Sequence, residues 1–154
     1  MPERELEQLL GTSHFRVLIG KQELGFCEVT RLTSETELTA PLAERGHRFE
    51  TVILRRALTR STELYDWRRR ILDGTEDRRD VTIHQLEAPG GRIANSWRLV
   101  KAWPRRWSGP AFDARESGIA FEELELVFDD LVWQARPPRQ PARRSRSRTT
   151  TQGG

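Results

Sequence analysis

Apolar and polar residues alternate with a period of two along much of this chain, and that rhythm restricts the fold more than any motif does: a body with it is built mainly from strands. In "HFRVLIG", Phe15, Val17 and Ile19 fall on one side and Gly20 ends the run. The alternation resumes in "GFCEVTRLT" after "GKQELG", so the two runs read as a hairpin. Segment 34–46, "SETELTAPLAERG", reads as a loop. In "HRFETVILRRALT", 47–59, Phe49, Thr51 and Ile53 alternate with Glu50, Val52 and Leu54. Both sets hold apolar residues, which suits a strand covered on both faces. The stretch 78–103 gives two more strands around "APGG", a turn signal. Trp97, Leu99, Lys101 and Trp103 share a face of the second, and Pro104, which cannot donate to a ladder, stops it.

Helical spacing is clearest in "STELYDWRRRILDG", where Leu64, Trp67, Ile71 and Leu72 make one stripe and predict a helix over about 61–73. Thr59 or Ser61 can cap its start, Glu63 suits its first turn, and Gly74 can take the left-handed position after it. Leu6, Leu9 and Leu10 before Gly11 allow a short N-terminal helix as well. "GIAFEELELVFDDLVW", 118–133, fits two templates. Ile119 and Phe121 alternate in one phase and Leu124, Leu126 and Phe128 in the other, which a β-bulge near Glu122–Glu123 would reconcile. Leu124, Val127, Phe128 and Leu131 also recur at helical spacing.

The charge balance narrows the function classes. The net charge is +3, but segment 135–154 carries six arginines and no acid. They are Arg136, Arg139, Arg143, Arg144, Arg146 and Arg148, a candidate electrostatic tail that could meet an acidic neighbour or hold acidic cargo. Without them 20 basic and 23 acidic residues remain, about −3, so the body is no nucleic-acid-coating domain. The domain reading is a β body over 1–134 and an Arg/Pro/Ser-rich tail over 135–154 that cannot build a core. With 36% hydrophobic and 32% charged residues the core is lean, or apolar surface is buried against partner chains.

Nothing in the sequence assembles a catalytic set. Cys27 is the single cysteine, and no Cys/His spacing suits zinc. His14, His47 and His84 are far apart, and each reads as an ordinary surface or strand histidine. Glu122, Glu123, Glu125, Asp129 and Asp130 form an acidic cluster without a nearby histidine or Asp-Gly loop, and read as a solvated or intersubunit strand face. "APGGR" lacks the Lys-Ser/Thr ending and the strand-to-helix context of a phosphate loop. Cys27, within an expected strand, reads as buried filler rather than as a nucleophile. No enzyme, cofactor or metal is expected, and with no apolar run near 18 residues and no signal-like start, neither a membrane anchor nor export is.

The blocks "LRRALTRSTELYDWRRRILDG" (54–74), "RRDVTIHQL" (78–86), "WRLVKAWPRRWSGPAFDA" (97–114) and "IAFEELELVFDDL" (119–131), in that order after "FRVLIG…GFCEVTRL", resemble the inner tube protein family of contractile phage tails and contractile injection systems. The likeness covers about 13–133. It implies two antiparallel sheets in a sandwich- or barrel-like body with one helix. It also implies hexameric rings that stack into a hollow tube inside a sheath, carrying DNA or effector toxins. The implied partners are further copies of the chain, the sheath protein, baseplate or tube-end proteins and the cargo, with assembly in the bacterial cytoplasm. The family motif falls on Leu54, Arg56, Leu58 and Thr59 leading into the helix, on Trp67 as its anchor, and on Trp97, Trp103, Pro104, Trp107, Gly109 and Pro110. Glu123, Leu124, Glu125 and Leu126 carry it in the last strand.

The chain also departs from that family. Ala57 stands where relatives have glycine, and "APLAERG" is compact where many carry a longer loop used in ring stacking. Phe128 and Asp129 replace a common His-Glu pair, Asp130 stands where relatives often have glycine, and the arginine tail is an addition. A tube-initiating or baseplate-proximal ring is therefore an alternative to the main tube subunit. A basic-tailed nucleic-acid-binding or adaptor module is an alternative of another class.

Overall fold

The structure is a computed structural model, and it describes residues 9–36, 38 and 47–136. Among the described residues ten strands and one helix follow in order: β1 (Phe15–Ile19), β2 (Gln22–Leu24), β3 (Glu28–Val29), β4 (Ser34–Thr36), β5 (His47–Phe49), β6 (Val52–Ala57), α1 (Glu63–Leu72), β7 (Arg79–Leu86), β8 (Ile93–Ser108), β9 (Phe121–Val127) and β10 (Asp130–Ala135). Eight strands join in one sheet, in the order β2-β1-β7-β8-β9-β6-β3 with β10 also on β8, and β4 pairs only β5. The expected mainly β body with one helix is there. The expected two sheets are hydrogen-bonded into one, which does not close into a barrel.

The link is β8, 16 residues long. Its first half pairs β7 on one side and β10 on the other, and its second half pairs β9. The halves meet at Lys101, whose φ of 52° is left-handed, a conformation that costs an L-residue roughly 1–2 kcal/mol. The Lys101 amide donates to Asp80 Oδ1 at 3.0 Å, which fixes the bend. The bend also inverts the side-chain phase. Leu99 is buried before it, and Ala102 and Pro104 are buried after it. Trp97 and Trp103 therefore do not share the buried side, against the expectation from their spacing. Pro104 does not end the strand either. Past Ala102, which still pairs Arg79 of β7, β9 is the one strand on β8 among the described residues, so the other side has no ladder that needs the Pro104 N–H. That side is covered by α1, whose Arg68 Nη1 donates to the Pro104 carbonyl at 3.2 Å.

The bend gives the sheet two arms, β2-β1-β7-β8-β10 and β8-β9-β6-β3, and both contribute to one core. Val17, Ile19, Val81, Ile83 and Leu99 come from the first arm, Val52, Leu54, Leu124 and Leu126 from the second, and Leu64 and Trp67 from α1. Trp67 is wholly buried, its Nε1–H donates to the Asp77 carbonyl at 2.8 Å, and the Arg79 guanidinium lies 4.7 Å from the ring centroid.

Several local expectations change. The hairpin partner of β1 is β2, through the turn Gly20–Lys21 with Gly20 at φ 62°, while β3 goes to the far end of the sheet on β6. The turn chemistry of "GK" outweighs the longer apolar run. Segment 34–46 is not all loop, since Ser34–Thr36 is β4. The strand expected over 47–59 breaks at Glu50–Thr51 into β5 and β6. Segment 118–133 holds no helix but two strands, β9 and most of β10, parted at Phe128–Asp129, and the expected bulge is not at Glu122–Glu123. The register shift lies across the ladder, between Pro104 and Arg106 of β8. α1 is shorter than expected, with Thr62 at the cap position, and Leu72 is exposed instead of joining the stripe. Gly74 does take the left-handed position, at φ 83°. Cys27 is exposed, not buried, and lies just outside β3.

The two chain ends are described only in part. Ala135, expected in the tail, ends β10 instead, because its strand continues to pair β8 as far as Asn95. Arg136 is the one arginine of the candidate electrostatic tail among the described residues. It is exposed, and its amide still donates to the Ala94 carbonyl at 2.8 Å, so its backbone belongs to the body. Arg139, Arg143, Arg144, Arg146 and Arg148 lie outside the described residues. At the other end Leu9 and Leu10 are outside any helix, and the rest of the expected N-terminal helix lies outside the described residues.

Candidate assembly surface and its buried support

The motif residues divide into an interior set and a rim. Leu54, Leu124 and Leu126 are fully buried on adjacent strands β6 and β9. Arg56 follows Leu54 in the same inward phase and is 7% exposed. A guanidinium there needs partners. Its Nε donates to Glu122 Oε2 at 3.3 Å and its Nη1 to Glu63 Oε1 at 3.0 Å, while Nη2 has no partner among the described residues. Trp107 Nε1–H donates to the other Glu122 oxygen at 3.1 Å, and Gln22 Nε2 donates to Glu63 Oε2 at 3.1 Å. The cluster thus ties β2, β6, α1, β8 and β9 together. The Arg56 guanidinium holds the Glu63 carboxyl below its ordinary value, against the opposing cost of burial.

Glu122, expected on a solvated acidic face, is 1% exposed. The sequence does carry the signal, since Glu122 shares the two-residue phase of Leu124, Leu126 and Phe128. Its acidic neighbours do face outward and are paired there. Glu123 lies 3.7 Å from Arg55, while Glu125 accepts from Thr51 Oγ1 at 3.0 Å and from Arg105 Nε at 3.1 Å. Trp107 packs edge-on against Tyr65 at 5.2 Å, and its ring lies over Gly109 so closely that a Cβ there would come within 2.9 Å. The "WSG" spacing is thereby explained by contact rather than by a turn. Pro110 is half-buried beyond it, and Trp103 stands beside Ile71 and the loop 75–78. Leu58 and Thr59 are exposed. The Leu58 amide donates to the Ala120 carbonyl at 2.8 Å, and Thr59 Oγ1 accepts from the Ser61 amide at 3.1 Å.

The rim carries what could engage other molecules. Strands β2, β3 and β10 each pair on one side only among the described strands, which leaves backbone groups free on the other. On β10, Trp133 is 63% exposed and stacks on Trp97 at 6.2 Å with 9° between planes, and its Nε1–H donates to Asn95 Oδ1 at 2.9 Å. Nothing in its sequence setting singles it out. Trp97 is also part of the wall of a cleft of about 510 Å³ at the open end between the arms. The outward face of the first arm is largely polar, with Arg16, Thr82, His84, Ser96, Arg98 and Gln134 beside the half-buried Leu18 and Val132. His84 Nδ1 and Ser96 Oγ are 2.6 Å apart, and burial, reinforced by Arg16 and opposed by Glu23, lowers the His84 pKa.

Among the described residues no group of three or more His, Cys, Asp or Glu side chains could hold a metal ion, and no helix is long and apolar enough to cross a membrane. The clustered charges are paired with one another, an arrangement that holds strands and a helix in place.

Comparison with known proteins adds a family and a fold. The family described as T4-like virus tail tube protein gp19 matches residues 11–132. Among solved structures, a chain of the PVC sheath-tube complex of an extracellular contractile injection system in the extended state is 23% identical with a TM-score of 0.69. It covers 85% of this chain and 95% of its own. A chain of the tube-terminating cap of the anti-feeding prophage is 20% identical with a TM-score of 0.69, over 85% and 94%. Hcp1 from Flavobacterium johnsoniae is 13% identical with a TM-score of 0.59, over 80% and 96%. No curated protein matches significantly.

Proposed function

The chain belongs to the T4-like virus tail tube protein family, and we propose that it is a structural subunit of the inner tube of a contractile particle, closing with five further copies into rings that stack as a hollow conduit. One observation carries the reading: the first arm ends in two different open edges, β2 and β10. Unlike edges favour head-to-tail pairing, in which β10 of one copy lies beside β2 of the next, and such heterologous contacts close by rotation. The barrel that the single chain lacks then forms across copies. The largely polar outward face of the first arm lines the bore, where hydroxyl, amide and charged groups leave cargo only the half-buried Leu18 and Val132 as apolar surface to adhere to. The sheath surrounds the opposite side, and the cargo is effector protein or DNA. The cationic tail carrying Arg139, Arg143, Arg144, Arg146 and Arg148 serves an acidic surface on a neighbouring subunit or on the cargo. Assembly takes place in the cytoplasm of the producing bacterium.

A second reading has its own support. The similarity to the tube-terminating cap of the anti-feeding prophage equals that to the sheath-tube complex in TM-score, so a ring at one end of the tube is the alternative place in the particle. Negative-stain electron microscopy of the purified chain separates the two. Long stacked tubes identify the repeating subunit, single rings identify the end variant, and a chain that stays monomeric at all concentrations and salts rejects both. In the last case, salt-dependent DNA binding by residues 1–136 would turn the reading toward a nucleic-acid module.

A further inference from the structure

We propose that Gln22 and Glu63 form a clamp that holds the β2 edge in pairing position before a neighbouring copy arrives, which makes Gln22 a positioning residue for ring closure. This role rests on the ring-forming reading, in which β2 receives β10 of the next copy. β2 has three residues and pairs β1 alone among the described strands. So short a strand at the end of a sheet gains little from its own ladder, and an edge that is ordered only on pairing weakens association by the entropy it loses there. All three side chains of β2 are nevertheless held. Leu24 packs on the core, Glu23 lies 3.2 Å from Arg16 on the outward face, and Gln22 Nε2 donates to Glu63 Oε2 on α1 at 3.1 Å. These contacts use the two faces of the strand and leave its outer backbone edge clear.

The Gln22 contact is the firmer of the two polar ones. In the Arg16–Glu23 pair both side chains are about half exposed, and a pair of that kind contributes little. Glu63 is fixed from the interior. Its Oε1 accepts from Arg56 Nη1 at 3.0 Å, and the buried Arg56 is held on its other side by Glu122 Oε2 at 3.3 Å. The same Arg56 hydrogen bond keeps the Glu63 carboxyl ionised to lower pH than usual, and an ionised acceptor makes the stronger hydrogen bond to the Gln22 amide. The position of the edge is thus carried outward from β9 through Glu122, Arg56 and Glu63 to Gln22.

Gln22→Glu sets two carboxylates against each other and tests the clamp. In the unassembled chain, amide hydrogen exchange across Gln22–Leu24 should quicken at least about tenfold while β6 is unchanged. The concentration at which half the chain is assembled should rise at least about tenfold, as expected when a hydrogen bond to a charged group is replaced by repulsion. The exchanged pair Gln22→Glu/Glu63→Gln should restore both values, because the amide at 63 can accept from Arg56 through its oxygen and donate to the carboxylate at 22 through its nitrogen. Exchange that quickens equally in β6, or a loss that the exchanged pair does not rescue, would mean general destabilisation and overturns the proposal. So does unchanged exchange in β2, or faster exchange there with undiminished assembly. If the parent chain itself fails to assemble, the ring reading falls and the clamp's role with it. If the parent assembles and Gln22→Glu assembles equally well, the clamp alone falls.

Discussion

Arg56 and Glu122 place a charge pair where the surrounding residues are leucines and tryptophans, and a buried pair is costly to split but dispensable as a unit. Glu122→Gln removes one of the two carboxylates that hold Arg56, with Glu63 still at 3.0 Å, so it should destabilise the chain by about 1–3 kcal/mol in urea denaturation. The double variant Arg56→Met/Glu122→Leu should recover most of that loss, and recovery below half would mean that the Trp107 and Glu63 contacts contribute more than the pair. Acid acts on a different set of residues. His84, Glu63 and Asp77 all have folded pKa values below their ordinary ones of 6.5, 4.5 and 3.8, for His84 because of burial and for the two acids because of hydrogen bonds from Arg56 and Arg79. In each case the unfolded state binds the proton more tightly, so stability is fully present above the ordinary value and is lost as pH falls toward the folded one. Thermal unfolding followed downward in pH should show a first decline below about 6.5, abolished by His84→Gln, and a steeper one that begins below about 4.5 with Glu63 and whose part below about 3.8 is blunted by Asp77→Asn. Stability that rises on acidification through either window would contradict these assignments.

The elements show what period-two alternation can and cannot tell. It locates β1, β6, β7, β8 and β9 because each strand has one phase facing a shared core, so that burial repeats along the sequence. It misses β2, β4 and β10, which are short or lie at edges, since an edge strand has too little burial to leave an alternation. It also misses the bend. Trp97, Leu99, Lys101 and Trp103 look continuous in sequence, yet the left-handed φ at Lys101 exchanges inside for outside, and nothing but a glycine would have signalled it. The buried pair is half legible: Arg56 stands out in its motif, whereas Glu122 is hidden among acidic neighbours. The bend yields a direct test. Lys101→Val, β-branched at a positive φ, should cost at least about 1 kcal/mol in chemical denaturation, while Lys101→Gly should cost nothing or stabilise. Equal behaviour of the two variants would mean that no strain is held there.

At the scale of the whole molecule, a lean core, a sheet open at unlike edges among the described strands and an exposed tryptophan on one of them support the proposal that other copies complete the burial of this chain. The family blocks make the fold legible before any coordinates. The surfaces that would meet in a ring are not legible, because interface residues obey the periodicity of a neighbour's surface, not their own. The most direct measurement of the central claim is a cryo-electron microscopy map of the assembled chain. Six-fold rings are expected, in which β10 of each subunit lies hydrogen-bonded beside β2 of the next. Rings joined through other faces, with both edges left open, would contradict it.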